Sequence, residues 1–445
     1  MAVTASRKRS SPRASRFKAP STQPSTVSTR LAAPSPPPPS LQADINRALA
    51  PFSSPASIWV SLGYLGLSLL YCAATGLVFA WLRPLLPTAV WIPLYSAVQG
   101  TCAVGLWVLG HECGHGAFAK QRAVNDAIGF VLHSALLVPY FSWRHTHALH
   151  HRYTNHMTRG ETHVPPISPS APRSRLPGRL GSWGAIVVIC FVGWPMYLCG
   201  LGSERHRKGS HFRVGDAATA ADADAPRPGQ RGKFPPALRW RVHVSGLGCA
   251  VTAACLVAAR QRLGWDVLAW CGGPYVVVNG WLVLITLLHH THPAGATSPH
   301  AADPPLTSPA TGRLVSTIRQ MHSRYLLLTR PCPRRRAAAA VPHFGADEFS
   351  WLRGALATVD RPYPWPIDHL HHHIGSTHVL HHLNPRIPHY RAQAATAALV
   401  PVLGPHYRHD TRPIARAAAQ TVAACLFVRG ERGVQLYQPG AFSVG

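Results

Sequence analysis

Residues 111–115 read H-E-C-G-H and follow a long apolar run, 97–110. His111 and His115 are four apart, so a helix puts both on one face. The spelling H-E-x-x-H is also that of a zinc peptidase, in which Glu112 is the general base. Two more clusters lie far along the chain. One is H-A-L-H-H, with His147, His150 and His151. The other is H-V-L-H-H, with His378, His381 and His382. Each triple has i, i+3, i+4 spacing, which again gathers its imidazoles on one helical face. Most of the 28 histidines are scattered, and a lone histidine is more often a surface or satisfied core residue than a ligand.

Eight clustered imidazoles are too many for one zinc, which takes four ligands and leaves one position open when it is catalytic. They suit two metal ions with four or so nitrogens each. Imidazole serves Zn, Cu, Fe and Ni alike, so ligand type does not name the metal. The setting says more. A histidine-rich pair of ions beside a membrane points to redox work on a lipid, zinc has no redox chemistry, and iron is the natural choice. The peptidase reading leaves six clustered histidines unexplained.

The elements that must position these residues are membrane helices. Of 445 residues 47 % are apolar and 13 % charged, against roughly 25 % charged in ordinary soluble domains. Residues 58–82 and 89–110 are each long enough to cross a hydrocarbon core, which takes about 20 residues of helix. Residues 127–141 are too short and read as interfacial or re-entrant. Three apolar stretches follow, about 183–202, 244–259 and 264–289. All three clusters can share ions only on one side of the membrane, so an even number of crossings separates the second from the third. Residues 183–202 carry Pro195 deep in the run and are expected to lie in the interface, leaving 244–259 and 264–289 as the second hairpin. The net charge of +28 sits in the N-terminal tail and in loops flanking apolar segments. That fits positive-inside topology rather than nucleic-acid binding. Residues 1–45 read as a disordered basic tail, and the ten cysteines form no disulfide framework.

Several stretches resemble one family closely. H-E-C-G-H-G-A-F (111–118) resembles the first histidine box of the membrane fatty-acid desaturases, in their Δ12/ω3 acyl-lipid branch. Residues 133–151 resemble the approach to the second box, and 155–165 the stretch after it in fungal and algal members. Residues 283–294, 351–361 and 376–390 resemble two further signatures and the third box with its trailing I-P-H-Y. The resemblance runs from about residue 42 to about residue 430, with gaps.

The resemblance implies an all-α polytopic fold: a four-span helical bundle with a cytosolic helical cap carrying a His-rich di-iron site. It implies that two Fe ions, with O2 as co-substrate and two electrons, introduce a cis double bond into a lipid-linked fatty acyl chain. Carried over, the iron ligands are His111, His115, His147, His150, His151, His378, His381 and His382. His290 or His292 is expected as a further ligand, His372 sits where the family has a histidine before the third box, and Glu112 would orient a ligand. No fused electron-carrier domain is evident, so the donor is expected to be separate: cytochrome b5 in the endoplasmic reticulum, or ferredoxin in a chloroplast membrane. The reticulum is the favoured location.

The chain also departs from the family. Gly116 and the H-E-C spelling give mixed signals for regiochemistry, and Ser376 replaces a common acidic residue. Both Δ12 and ω3 desaturation fit, with residues 160–165 and 355–361 favouring Δ12; a hydroxylase or epoxygenase on the same scaffold is an alternative. Residues 295–340 interrupt a catalytic neighbourhood and read as a lineage-specific insert or a translated intron. The desaturase domain is therefore expected over 46–294 and 341–435. His300, His322 and His343 are not expected to bind iron.

Overall fold

The computed structural model describes residues 35–167, 178–201, 209–214, 233–293 and 340–438. The N-terminal tail and nearly all of 295–340, with His300 and His322, lie outside the described residues. What is described is mostly helical.

An amphipathic helix, α1 (Leu41–Leu49), precedes two long apolar ones, α2 (Ile58–Leu82) and α3 (Thr88–His115). Helix α2 leaves Trp59, Leu70, Leu77 and Trp81 exposed, as a helix does when lipid is its solvent. Helix α3 has 28 residues, about 42 Å of helix against a hydrocarbon core of about 30 Å. Its surplus turns can carry His111 and His115 out of the bilayer core. Gly116, at φ +72°, ends it; its N–H donates to Cys113 O, and Ala117 N–H donates to Glu112 O. This is the left-handed C-terminal stop that glycine favours.

Helices α4 (Arg122–Ala135) and α5 (Tyr140–Arg152) are bent by 104° at the break before Pro139. The bend turns α5, with the second cluster, back toward the end of α3. Helix α6 (Gly178–Cys199) follows, with Pro195 inside it. Then come α7 (Arg239–Leu263) and α8 (Gly273–His290). Among the described residues, four helical stretches are long and apolar enough to cross a membrane: Ile58–Leu82, Thr88–His115, Pro236–Leu263 and Leu268–His290. Helices α3 and α8 pack closely because Gly100 has no side chain; a Cβ there would lie 2.5 Å from Val277 Cβ.

The cap is made of short pieces: α9 (Trp351–Ala355), α10 (Ile367–Leu370), α11 (His378–Leu383), α12 (His389–Leu403) and α13 (Ile414–Ala424), with β1 (His343–Phe344) antiparallel to β2 (Val434–Gln435). A six-residue helix such as α11 is not stable alone. Val379, Leu380 and Leu383 hold it in a cluster with Leu41, Ile45 and Leu49 of α1 and Leu399 of α12. The buried Asp360 carboxylate accepts the Val379 N–H at 2.7 Å. Across the interrupted segment, Val341 N–H donates to His292 O at 3.3 Å, so its two flanks adjoin.

Candidate metal centre

Helices α3 and α8 end where α5 and α11 meet them. There α3 brings His111 and His115, α5 brings His147, His150 and His151, α8 brings His290, and α11 brings His378, His381 and His382. The nitrogens sort into two groups. In the first, His111, His115, His147, His151 and His381 each bring one ligand atom, all within 4.8 Å of one another. In the second, His150, His290 and His382 do the same. The shared-face reading therefore needs refinement. Adjacent residues on a helix diverge by about 100°, so His150 and His151 part to different groups, as do His382 and His381.

The spacing fits shared cations. The Nε2 of His147 lies 2.9 Å from that of His111, 3.0 Å from that of His115 and 3.1 Å from that of His151. In the second group the His150 and His290 Nε2 atoms are 3.1 Å apart; His378, an expected ligand that joins neither group, has its Nε2 3.0 Å from that of His290. Imidazoles bound at about 2.0–2.1 Å to one ion have nitrogens about 2.9–3.4 Å apart, for bond angles between octahedral and tetrahedral. Bare lone pairs at that distance repel unless a cation or proton stands between them. The Nε2 atoms of His381 and His382 are buried with no hydrogen-bond partner among the described residues, an arrangement that a metal would satisfy.

Burial, then the crowding of neighbouring imidazoles, holds His147, His151, His378, His381 and His382 well below the usual histidine range. Burial brings His150 down to about 3. These imidazoles are neutral at physiological pH, the form that binds metal.

The two groups are braced differently. In the first, Trp143 stacks on His147 with ring centroids 4.5 Å apart and Trp107 stacks on His111 at 5.4 Å. In the second, hydroxyls do the work. Thr154 Oγ1 lies 3.1 Å from His382 Nδ1, and Thr162 Oγ1 lies 3.1 Å from His150 Nδ1. The Asn155 side chain donates to the carbonyls of His290, Pro342 and Ala357. At the end of α8, Arg361 Nε donates to Leu288 O at 2.8 Å, and Arg361 and Arg412 both pair with the buried Asp410.

The fatty acid desaturase family profile matches residues 87–323 of this chain. A Δ12 acyl-lipid desaturase of Punica granatum is 33 % identical over 414 residues, covering 90 % of this chain and 89 % of that one. An oleoyl-12-hydroxylase of Ricinus communis is 32 % identical over 411 residues, covering 89 % and 88 %. An omega-6 fatty acid desaturase, endoplasmic reticulum isozyme 2, of Glycine max is 34 % identical over 351 residues, covering 77 % and 74 %. The chain belongs to the fatty acid desaturase family. It is an integral membrane oxidoreductase that acts on a lipid acyl chain.

Not every expected residue joins the desaturase's two groups. His290 does. His292, two residues on, follows the chain out of the helix and is held by Asp410 and Arg412 at 3.2 and 2.7 Å. His372, at φ +52°, meets Ser68 Oγ at 3.0 Å and packs on His389. Glu112 accepts the His389 N–H at 2.9 Å, so it faces the start of α12 rather than the grouped imidazoles. That carboxylate therefore caps a cap helix, which also removes the support for a peptidase base. His343 Nε2 is 3.3 Å from His163 O, within the small sheet. Thr154 and Thr162 were not legible as site residues; the only signal is that Thr154 follows His150 and His151 by four and three positions.

Proposed function

We propose that this desaturase removes two hydrogens from an oleoyl chain to form the cis Δ12 double bond of a linoleoyl chain. The reaction consumes one O2, two electrons and two protons and releases two waters. In this reading His111, His115, His147, His150, His151, His378, His381 and His382, joined by His290, hold two irons. Bound there, the irons supply the O2 activation that an unactivated C–H bond requires. The protein supplies neutral imidazoles, excludes water around them and places them at the ends of apolar helices, beside an acyl chain's own environment. The observation that carries the reading is the convergence of three distant histidine clusters at the C-terminal ends of α3 and α8.

The Δ12 assignment is supported by the Punica granatum and Ricinus communis relatives, whose names specify position 12. A second reading, hydroxylation at that carbon, is supported by the Ricinus communis relative, nearly as similar as the desaturase of Punica granatum. The Glycine max relative's name supports the endoplasmic reticulum over a chloroplast membrane, and with it cytochrome b5 over ferredoxin as donor. A basic chain of net charge +28 would steer an acidic carrier to it. We take α6 as interfacial and the catalytic unit as 46–294 plus 341–435, with 295–340 as an insert. The hydrogen bond between His292 and Val341 supports that division.

Expression in yeast, with and without residues 295–340, followed by fatty-acid profiling, tests this. A Δ9,12 diene made from endogenous monoene is the expected product of both forms. A 12-hydroxy acid would move the assignment to the second reading, and a Δ9,15 product or none would overturn it.

A further inference from the structure

The hydroxyl of Thr154 reaches two parts of the chain: the carbonyls that end α5 and His382 on α11. Thr154 is 1 % exposed and lies just past the end of α5. Its Oγ1–H donates back to His150 O at 2.8 Å, satisfying one of the carbonyls that a helix end leaves without a partner. A hydroxyl has one proton. With that proton committed, Oγ1 can only accept from His382 Nδ1, 3.1 Å away on α11. The His382 proton is therefore on Nδ1, and its buried, unpartnered Nε2 carries the lone pair. Thr162 Oγ1 lies 3.1 Å from His150 Nδ1, with the His150 Nε2 facing His290.

We propose that Thr154, which holds His382 in the Nδ1-protonated tautomer, and Thr162, whose hydroxyl braces His150 Nδ1, are positioning residues that tune the second metal-binding group of this desaturase. Two of that group's three imidazoles are gripped in this way. The grip on His382 also ties the second histidine cluster to the third. No equivalent hydroxyl reaches the first group's His111 or His151, whose Nδ1 atoms have no hydrogen-bond partner among the described residues. Removing such a partner typically costs 10–100-fold in metal affinity or activity. The loss should fall on one ion of the pair.

This inference rests on the two-ion reading above, and its test separates the two. The full chain is purified in detergent and loaded with Fe(II) or Co(II). Metal per chain, chelator-driven release and the Co(II) visible spectrum are then followed for wild type, Thr154→Val, Thr154→Ser and Thr162→Val. Wild type should hold two ions. Thr154→Val and Thr162→Val should keep one ion at the wild-type release rate and weaken the other by about 10–100-fold, with part of the spectrum changed. Thr154→Ser, which restores the hydroxyl, should return to near wild type. Wild-type binding of both ions in the two valine variants overturns the positioning role and leaves the two-ion reading intact. So does equal weakening of both ions in both valine variants, which marks a general structural role. A wild-type chain holding fewer than two ions overturns both.

Discussion

The two histidine groups share a ligand type and differ in nearly everything that supports it. The first takes five imidazoles and rests two of them on tryptophan faces. The second takes three, with His378 adjoining, and is held by directional bonds from Thr154, Thr162, Asn155 and the charges around Asp410. Packing on an aromatic face fixes where a ring lies but says little about which nitrogen bears the proton. A hydroxyl whose own proton is committed elsewhere, as that of Thr154 is, does both. Two chemically similar centres in one protein can therefore be loosened by different perturbations.

Ligand removal should have the largest effect. His147→Ala in the first group and His382→Ala in the second should each bring diene formation in yeast below detection and lower the metal content by one ion per chain. Product from either variant would break the claim that both groups are needed. Next in size is Asp410→Asn, which strands Arg361 and Arg412 at the end of α8. Breaking a buried pair in this way costs about 3–5 kcal/mol, read as a lowered unfolding midpoint. Burial alone would raise the Asp410 pKa, but hydrogen bonds from His292 and Arg412 and the charge of Arg361 outweigh it and hold the carboxyl well below the usual range. The native state thus keeps this proton off when the unfolded chain would take it up. The stabilisation is complete above the unfolded value of about 3.9 and fades as pH falls below it. A melting series from neutral to acid pH should show that decline in wild type and not in the variant.

Trp143→Leu should act on the first group alone. Loss of the stack is worth about 0.5–1.5 kcal/mol beyond buried area. It should appear as faster release of one ion while the hydroxyl-held ion is unchanged; loosening of both would erase the distinction. The smallest effect is expected at His372→Asn, which removes the Ser68 contact, worth about 0.5–1.5 kcal/mol. Both ions should stay bound, and loss of either would bring His372 back among the ligands.

The histidine clusters were legible because i, i+3, i+4 spacing is a helical signal and because two of the spans end on histidine. Four span-length helices were legible from uninterrupted apolar runs. The five-and-three sorting was not, because it depends on how α5 and α11 face each other, which no local spacing encodes. Among the proposed extra ligands, His290 and His292 looked equivalent in sequence. The helix ends between them, at Thr291, and so the second is turned toward Asp410. Glu112 was misread for a similar reason. Its partner, His389, is 277 positions away, and only the packing of α12 against α3 brings them together. Thr154 was invisible because a threonine after a helix has many uses and no periodicity marks this one.

The bond between Val341 and His292 fixes the separation of two chain ends whatever joins them. Closing a flexible connection costs only about 0.6 kcal/mol more for each doubling of its length. Evolution, or an engineer, can therefore lengthen, shorten or replace the stretch between these anchors almost freely. A fluorescent reporter or an affinity handle spliced in there would ride on the enzyme at a joint that is already closed.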